Sequence, residues 1–126
     1  MKLPIIKILF LIFFITLFSC DEEDQKDIEI TVLSTITEVR SEPGDPEIIK
    51  YGIVEYCAKN VGKSNINGWE VYFNVHVDRG PQQLAYESIY YRLEPDEVSS
   101  NRVVDCIIPD YYDDAYKATL KHVETW

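Results

Sequence analysis

Three cysteines, two histidines and the stretch Asp110-Tyr111-Tyr112-Asp113-Asp114 are the side chains of this 126-residue chain with chemistry to offer. A thiolate beside an imidazole can act as a nucleophile, but neither Cys57 nor Cys106 stands at a spacing from His76 or His122 that suggests such a pair. Both histidines fall on the polar phase of an alternating pattern, where a solvent-facing imidazole needs no metal or proton-transfer role. There is no Gly-x-Ser-x-Gly elbow, and five glycines scattered over turns build no phosphate cradle. The chain therefore reads as a protein without a catalytic site or cofactor, with a small enzyme ranking behind two binding readings.

The 110–114 stretch offers more. Asp110, Asp113 and Asp114 supply the hard oxygens that calcium takes, yet they lack the Asp-x-Asp-x-Asp-Gly spacing of a calcium loop, so a solvated acidic turn is the expectation and no metal is assigned. Nine tyrosines and two tryptophans suggest recognition, because a tyrosine joins an apolar ring to a polar tip and suits stacking on sugars or peptides. Tyr111 and Tyr112 follow Pro109 and sit among aspartates, and neighbouring side chains on extended backbone point to opposite sides, so at least one ring should face water. These five residues form the expected ligand-binding loop, with Tyr111 and Tyr112 as anchors. Tyr86 and Tyr90, by contrast, are expected to be half-buried strand residues.

The elements that must position this loop are strands. Period-2 alternation separated by turn signals runs through everything after residue 27 and predicts an all-β sandwich. Strands are predicted over 28–39, 49–60, 69–77, 84–93, 102–108 and 115–126. The clearest is the third, where Trp69, Val71, Phe73, Val75 and Val77 alternate with Glu70, Tyr72, Asn74 and His76. Ser41 to Pro46, with two prolines and a glycine, must break the first strand. Asn67-Gly68 is expected to make a tight turn, and Glu94-Pro95-Asp96-Glu97 another.

Before these strands the chain has a different character. Lys2 and Lys7 form a basic start, 8–18 is an apolar run broken by Thr16, and Leu17-Phe18-Ser19-Cys20 places a small residue before a cysteine. This pattern resembles the lipobox of bacterial lipoproteins, matched at Leu17, Ser19 and Cys20. The resemblance implies a signal peptide over 1–19, cleavage before Cys20, and lipidation of that cysteine, which would anchor the chain in a membrane. An uncleaved anchor is the alternative, although the apolar segment from Leu3 to Phe18 is shorter than the ~20 residues a spanning helix needs. Residues 20–27, with Asp21, Glu22, Glu23 and Asp24 after the cysteine, would be a solvated acidic tether. An acidic cluster there resembles the export signal of surface lipoproteins in some Gram-negative phyla, whereas Asp directly after the cysteine resembles the inner-membrane retention signal of enterobacteria; of the two, the outer membrane, facing the periplasm or the cell surface, is the expectation. With Cys20 used for lipid, Cys57 and Cys106 remain as an expected disulfide, though both could equally be small buried hydrophobes.

The full chain has a formal charge of −10, and removal of Lys2 and Lys7 would bring the mature protein to about −12. That excludes nucleic acid as a natural partner and leaves membrane contact to the lipid. The 99 residues from Ile28 to Trp126 suffice for one domain. Within it, Val54-Glu-Tyr-Cys-Ala-Lys-Asn-Val-Gly62 followed by Trp69-Glu-Val-Tyr-Phe-Asn-Val75 resembles the strand, Asn-x-Gly turn and strand of small immunoglobulin-like export domains such as the FxLYD and CARDB-type modules. Leu93-Glu-Pro-Asp-Glu97 stands where those modules have Leu-x-Pro-Gly-Glu, with Asp96 in place of the glycine. The resemblance implies an immunoglobulin-like antiparallel sandwich of six to seven strands over 28–126, used as a binding module for a protein, peptide or glycan. An acidic inhibitor or immunity-type protein masking a basic partner is the second reading.

Overall fold

The computed structural model describes residues 27–41, 43–44 and 47–126. The signal segment, Cys20, the tether before Asp27 and part of the Ser41 to Pro46 break lie outside the described residues. Six strands follow in chain order: β1 (Ile28–Ser41), β2 (Ile48–Asn60), β3 (Ile66–Val77), β4 (Gln83–Leu93), β5 (Arg102–Ile107) and β6 (Ala115–Thr125). They form two antiparallel three-stranded sheets ordered β1-β2-β5 and β4-β3-β6. In immunoglobulin terms these are A-B-E and C′-C-F, a sandwich in which β2 and β3 are the central strands.

The β-branched and aromatic residues at alternate positions bury one face of each sheet against the other. Tyr56, Trp69 and Phe73 are fully buried, and Val54, Ala58, Val71, Val75, Leu93 and Val123 pack with them. The Tyr56 and Phe73 rings meet at 5.1 Å, and Trp69 Nε1 donates to the Tyr56 hydroxyl at 3.0 Å. Each such side chain contributes roughly 1.5–3 kcal/mol by leaving water.

Two lateral seams close the sandwich by different chemistry. Between β4 and β5, Arg102 holds Glu87 through Nη2 at 2.6 Å and Nε at 3.1 Å, and the Tyr56 hydroxyl donates to the same carboxylate. Burial pushes the Glu87 carboxyl up, but the hydrogen bonds from Arg102 and Tyr56 outweigh it and hold the group below its ordinary range. Between β1 and β6, Thr37 Oγ1 accepts from the Ala115 amide at 2.8 Å and contacts its carbonyl at 3.4 Å.

The end of the sandwich where β1 begins is tied by one buried amide. Asn60 Nδ2 donates to the Leu93 carbonyl at 3.0 Å and the Ser64 carbonyl at 2.9 Å, while Oδ1 accepts from the Gly62 amide at 2.9 Å. This is what the Asn-x-Gly spacing accomplishes. The Glu94 to Glu97 turn docks on the same residue, with Asp96 N donating to Asn60 O at 2.8 Å and Asn60 N to Glu97 O at 3.0 Å. Pro95 occupies the second position of that turn, and Asp96 takes φ 68°, the left-handed value that its glycine counterpart would adopt without cost.

The Asn67-Gly68 turn is corrected. Both residues lie inside β3, neither has a positive φ, and Gly68 pairs with Tyr90. Glycine is needed there for room: a Cβ would stand 2.5 Å from the Ile89 carbonyl oxygen and 2.7 Å from the Trp126 ring.

Candidate functional site

The expected binding loop connects β5 to β6, and its residues divide. Tyr111 and Tyr112 are both exposed, at 52% and 78%, with rings meeting edge to face at 5.7 Å. The aspartates are occupied. Asp113 is buried and its Oδ1 accepts from the Arg79 amide at 2.9 Å, joining the loop to residues 78–81. Asp110 Oδ1 accepts from the Tyr112 amide at 2.9 Å, and its carbonyl accepts from Asp113 N at 3.0 Å, which makes the turn. Asp114 pairs with Lys50 at 2.7 Å, and the same ammonium donates to Tyr111 O at 2.7 Å and sits 5.4 Å from its ring centre. Asp113 is therefore a structural residue, and the loop's remaining recognition surface is the tyrosine pair. Among the described residues no group of three or more His, Cys, Asp or Glu side chains is placed to hold a metal ion.

The expected Cys57–Cys106 bridge is also corrected. Both thiols are free, Cys57 half-buried and Cys106 buried. Register explains why: Cys106 pairs with Gly52 and faces the core, whereas Cys57 pairs with Thr31 five positions further along β2 and faces outward. The offset is about 17 Å along the strand, on opposite faces of one sheet. Burial pushes the Cys106 thiol up, so the second of the two alternatives, a small buried hydrophobe, describes it. The histidines are engaged with side chains. His76 bonds Thr119 Oγ1 at 3.0 Å and Gln82 Nε2 at 3.1 Å, and His122 Nε2 lies 3.1 Å from Glu124.

A larger feature stands on the outward face of the β4-β3-β6 sheet. Here the half-buried expectation fails for Tyr90, which is 86% exposed, while Tyr86 is 46% exposed. The pairing register assembles them with residues from the other two strands. Tyr86, Tyr72 and His122 form a cross-sheet row, with Tyr72 and Tyr86 centroids at 4.7 Å and Tyr72 and His122 at 6.0 Å. Tyr90 and Trp126 meet edge to face at 5.5 Å across Gly68, whose missing side chain admits the indole. His76 and Tyr116 form a third pair at 6.3 Å. These three clusters sit at β3 positions 68, 72 and 76, about 14 Å apart at strand rise, so the row extends over roughly 27 Å. Between them Glu70 accepts from the Tyr72 hydroxyl at 3.0 Å, which pushes that phenol up, and Glu70, Tyr72, Leu84, Lys121, His122 and Glu124 line a shallow depression of about 470 Å³.

The expectation for Tyr86 and Tyr90 rested on the preference of sandwich strands for half-buried tyrosine and assigned no phase to β4, in which Ala85 and Glu87 point inward. Glu87 can face inward because its charge is matched by Arg102 from another strand. No protein-family model matches the chain, and no curated protein or solved structure matches it either.

Proposed function

We propose that the chain is a lipid-anchored, non-catalytic binding module of the bacterial cell envelope, and that it engages its partner through the ring-bearing face of the β4-β3-β6 sheet. One observation supports this above the others: Tyr86, Tyr90, Tyr116 and Trp126 are held outward, 41% to 86% exposed, although the core is already filled by Tyr56, Trp69 and Phe73. A cluster of rings left largely in water outside the core suits a recognition surface. The anchor at Cys20 rests on the lipobox pattern. Asp27 and the start of β1 lie at the end of the sandwich with Asn60 and Trp126, and the Tyr111-Tyr112 loop lies at the other. A tether at Asp27 would thus hold the Tyr111-Tyr112 loop farthest from the bilayer, with the ring-bearing face running from Trp126 at the tethered end toward it.

The experiment has two arms. Cys20→Ala should abolish labelling by radioactive palmitate and release the chain from the membrane fraction; equal labelling of wild type and variant removes the anchor. For the face, the fluorescently labelled chain should bind isolated envelopes, and Tyr86→Ala with Tyr90→Ala should weaken that binding at least tenfold. Undiminished binding removes the face from the function.

A further inference from the structure

We infer that the ring-bearing face of the β4-β3-β6 sheet takes an extended, uncharged polysaccharide chain, an assignment that rests on the binding role proposed for that face. Three observations select this chemistry. The first is length: three aromatic clusters at β3 positions 68, 72 and 76 form a line of roughly 27 Å, which a linear polymer can follow and a small molecule cannot. The second is charge. The chain as a whole carries −10, yet on this face Glu70 and Glu124 stand with Lys117, Lys121 and Arg92, so the local surface lacks the acidic excess that would attract a basic segment. A nucleic acid would also stack on rings, but it requires a positively charged groove along its backbone.

The third observation is how polar groups lie between the rings. A protein interface concentrates apolar residues at its centre and keeps charges to the rim, whereas here Glu70, His122 and Glu124 stand beside Tyr72 in the middle of the row. A sugar ring has the matching composition: C–H groups on its faces to lie on an aromatic ring, and hydroxyls at its edge to donate to carboxylates. Glu70 and Glu124 are already held by Tyr72 and His122, at 3.0 and 3.1 Å, so their acceptor oxygens are oriented before any ligand arrives. Two Ala-accessible rings, Tyr86 and Tyr90, and one carboxylate, Glu70, therefore test the assignment without touching the core.

The test uses the full chain on two supports. Isolated envelopes are oxidised with periodate, which cleaves vicinal diols of sugars, or digested with protease; in parallel, native gels are cast with a soluble β-1,4-glucan, an α-1,6-mannan or a β-1,4-galactan, each with a vicinal diol in every residue. Periodate should remove envelope binding at least tenfold while protease leaves it, at least one polysaccharide should retard migration, and Tyr90→Ala and Glu70→Gln should each reduce that retardation at least threefold. Binding lost to protease and resistant to periodate assigns the face to a protein partner and overturns the polysaccharide while the binding role stands. A concentration-dependent dimer in sedimentation that dissolves in Tyr90→Ala assigns the face to a second copy and overturns it as well. Binding that the ring variants leave unchanged overturns both the ligand class and the binding role.

Discussion

The two outward faces of the sandwich are built on the same alternation and end in opposite states. On the β1-β2-β5 face three half-exposed aliphatic side chains, Ile36, Val103 and Ile107, stand among the charged Glu38, Arg40, Glu55 and Asp105, and Ile53 in their midst is 7% exposed although it points away from the core. The aromatic ring of Tyr51 there is already capped: the Arg40 guanidinium stands 4.6 Å over it and pairs with Glu38 at 3.3 Å and Asp105 at 3.2 Å. On the β4-β3-β6 face, the rings pack on one another and on Gly68, and Tyr86, Tyr90, Tyr116 and Trp126 keep 41% to 86% of their surface in water. A face that satisfies its own side chains is a surface; the face that presents aligned rings beside oriented carboxylates is the one we propose as a site.

If that contrast holds, stability should reside in the interior ties and on the first face, and not in the outward rings. The largest effect is expected at Asn60, where Ala would leave the Leu93 and Ser64 carbonyls and the Gly62 amide without their partner. A loss of about 3 kcal/mol is expected in urea unfolding. Ile53→Ala should cost about 2 kcal/mol, as removal of a buried aliphatic side chain does, even though Ile53 lies on an outward face. An Ile53 cost as small as that of a surface residue would break the contrast from its first side.

The seam between β4 and β5 adds a pH dependence. Glu87 is held below its ordinary value of 4.5, so the ionised carboxylate stabilises the fold above that value. The contribution is lost as pH falls through the lower folded value. Acid unfolding of Glu87→Gln should therefore show a smaller loss of stability below pH 4.5 than wild type; identical pH profiles would remove Glu87 from the seam's energetics. The smallest effect is a gain. Asp96→Gly should raise stability by about 0.5–1 kcal/mol, because glycine takes the φ of 68° without strain. A loss of stability there would mean that the Asp96 side chain has a stabilising role that no contact explains.

How much of this was legible follows from what alternation can and cannot encode. Trp69, Val71, Phe73, Val75 and Val77 announced the inner face of β3, and all are buried. Asn60, Gly62 and Asp96 likewise marked an end of the sandwich through turn chemistry that is local to a few residues. The candidate site was not local. Its rings come from β3, β4 and β6, and which of them share a face depends on register and on bulges in β6 near Lys121 and Tyr116, which no single segment contains. The cysteine pairing failed for the same reason: counting thiols cannot see that five positions of register separate them. Gly68 misled most directly, since the same residue that favours a turn also admits an indole across a strand.

The central claim is that the outward rings exist to bind, and a matched pair of variants tests it most directly. Tyr86→Ala with Tyr90→Ala on one face is compared with Ile36→Ala and Val103→Ala on the other, each measured for melting temperature and for its binding isotherm on isolated envelopes. The ring pair should lose at least tenfold in affinity with a melting temperature within a few degrees of wild type, and the aliphatic pair should keep its affinity. Equal affinity in the two pairs, or a ring pair that melts many degrees lower while binding normally, would contradict the account and return the rings to a structural role.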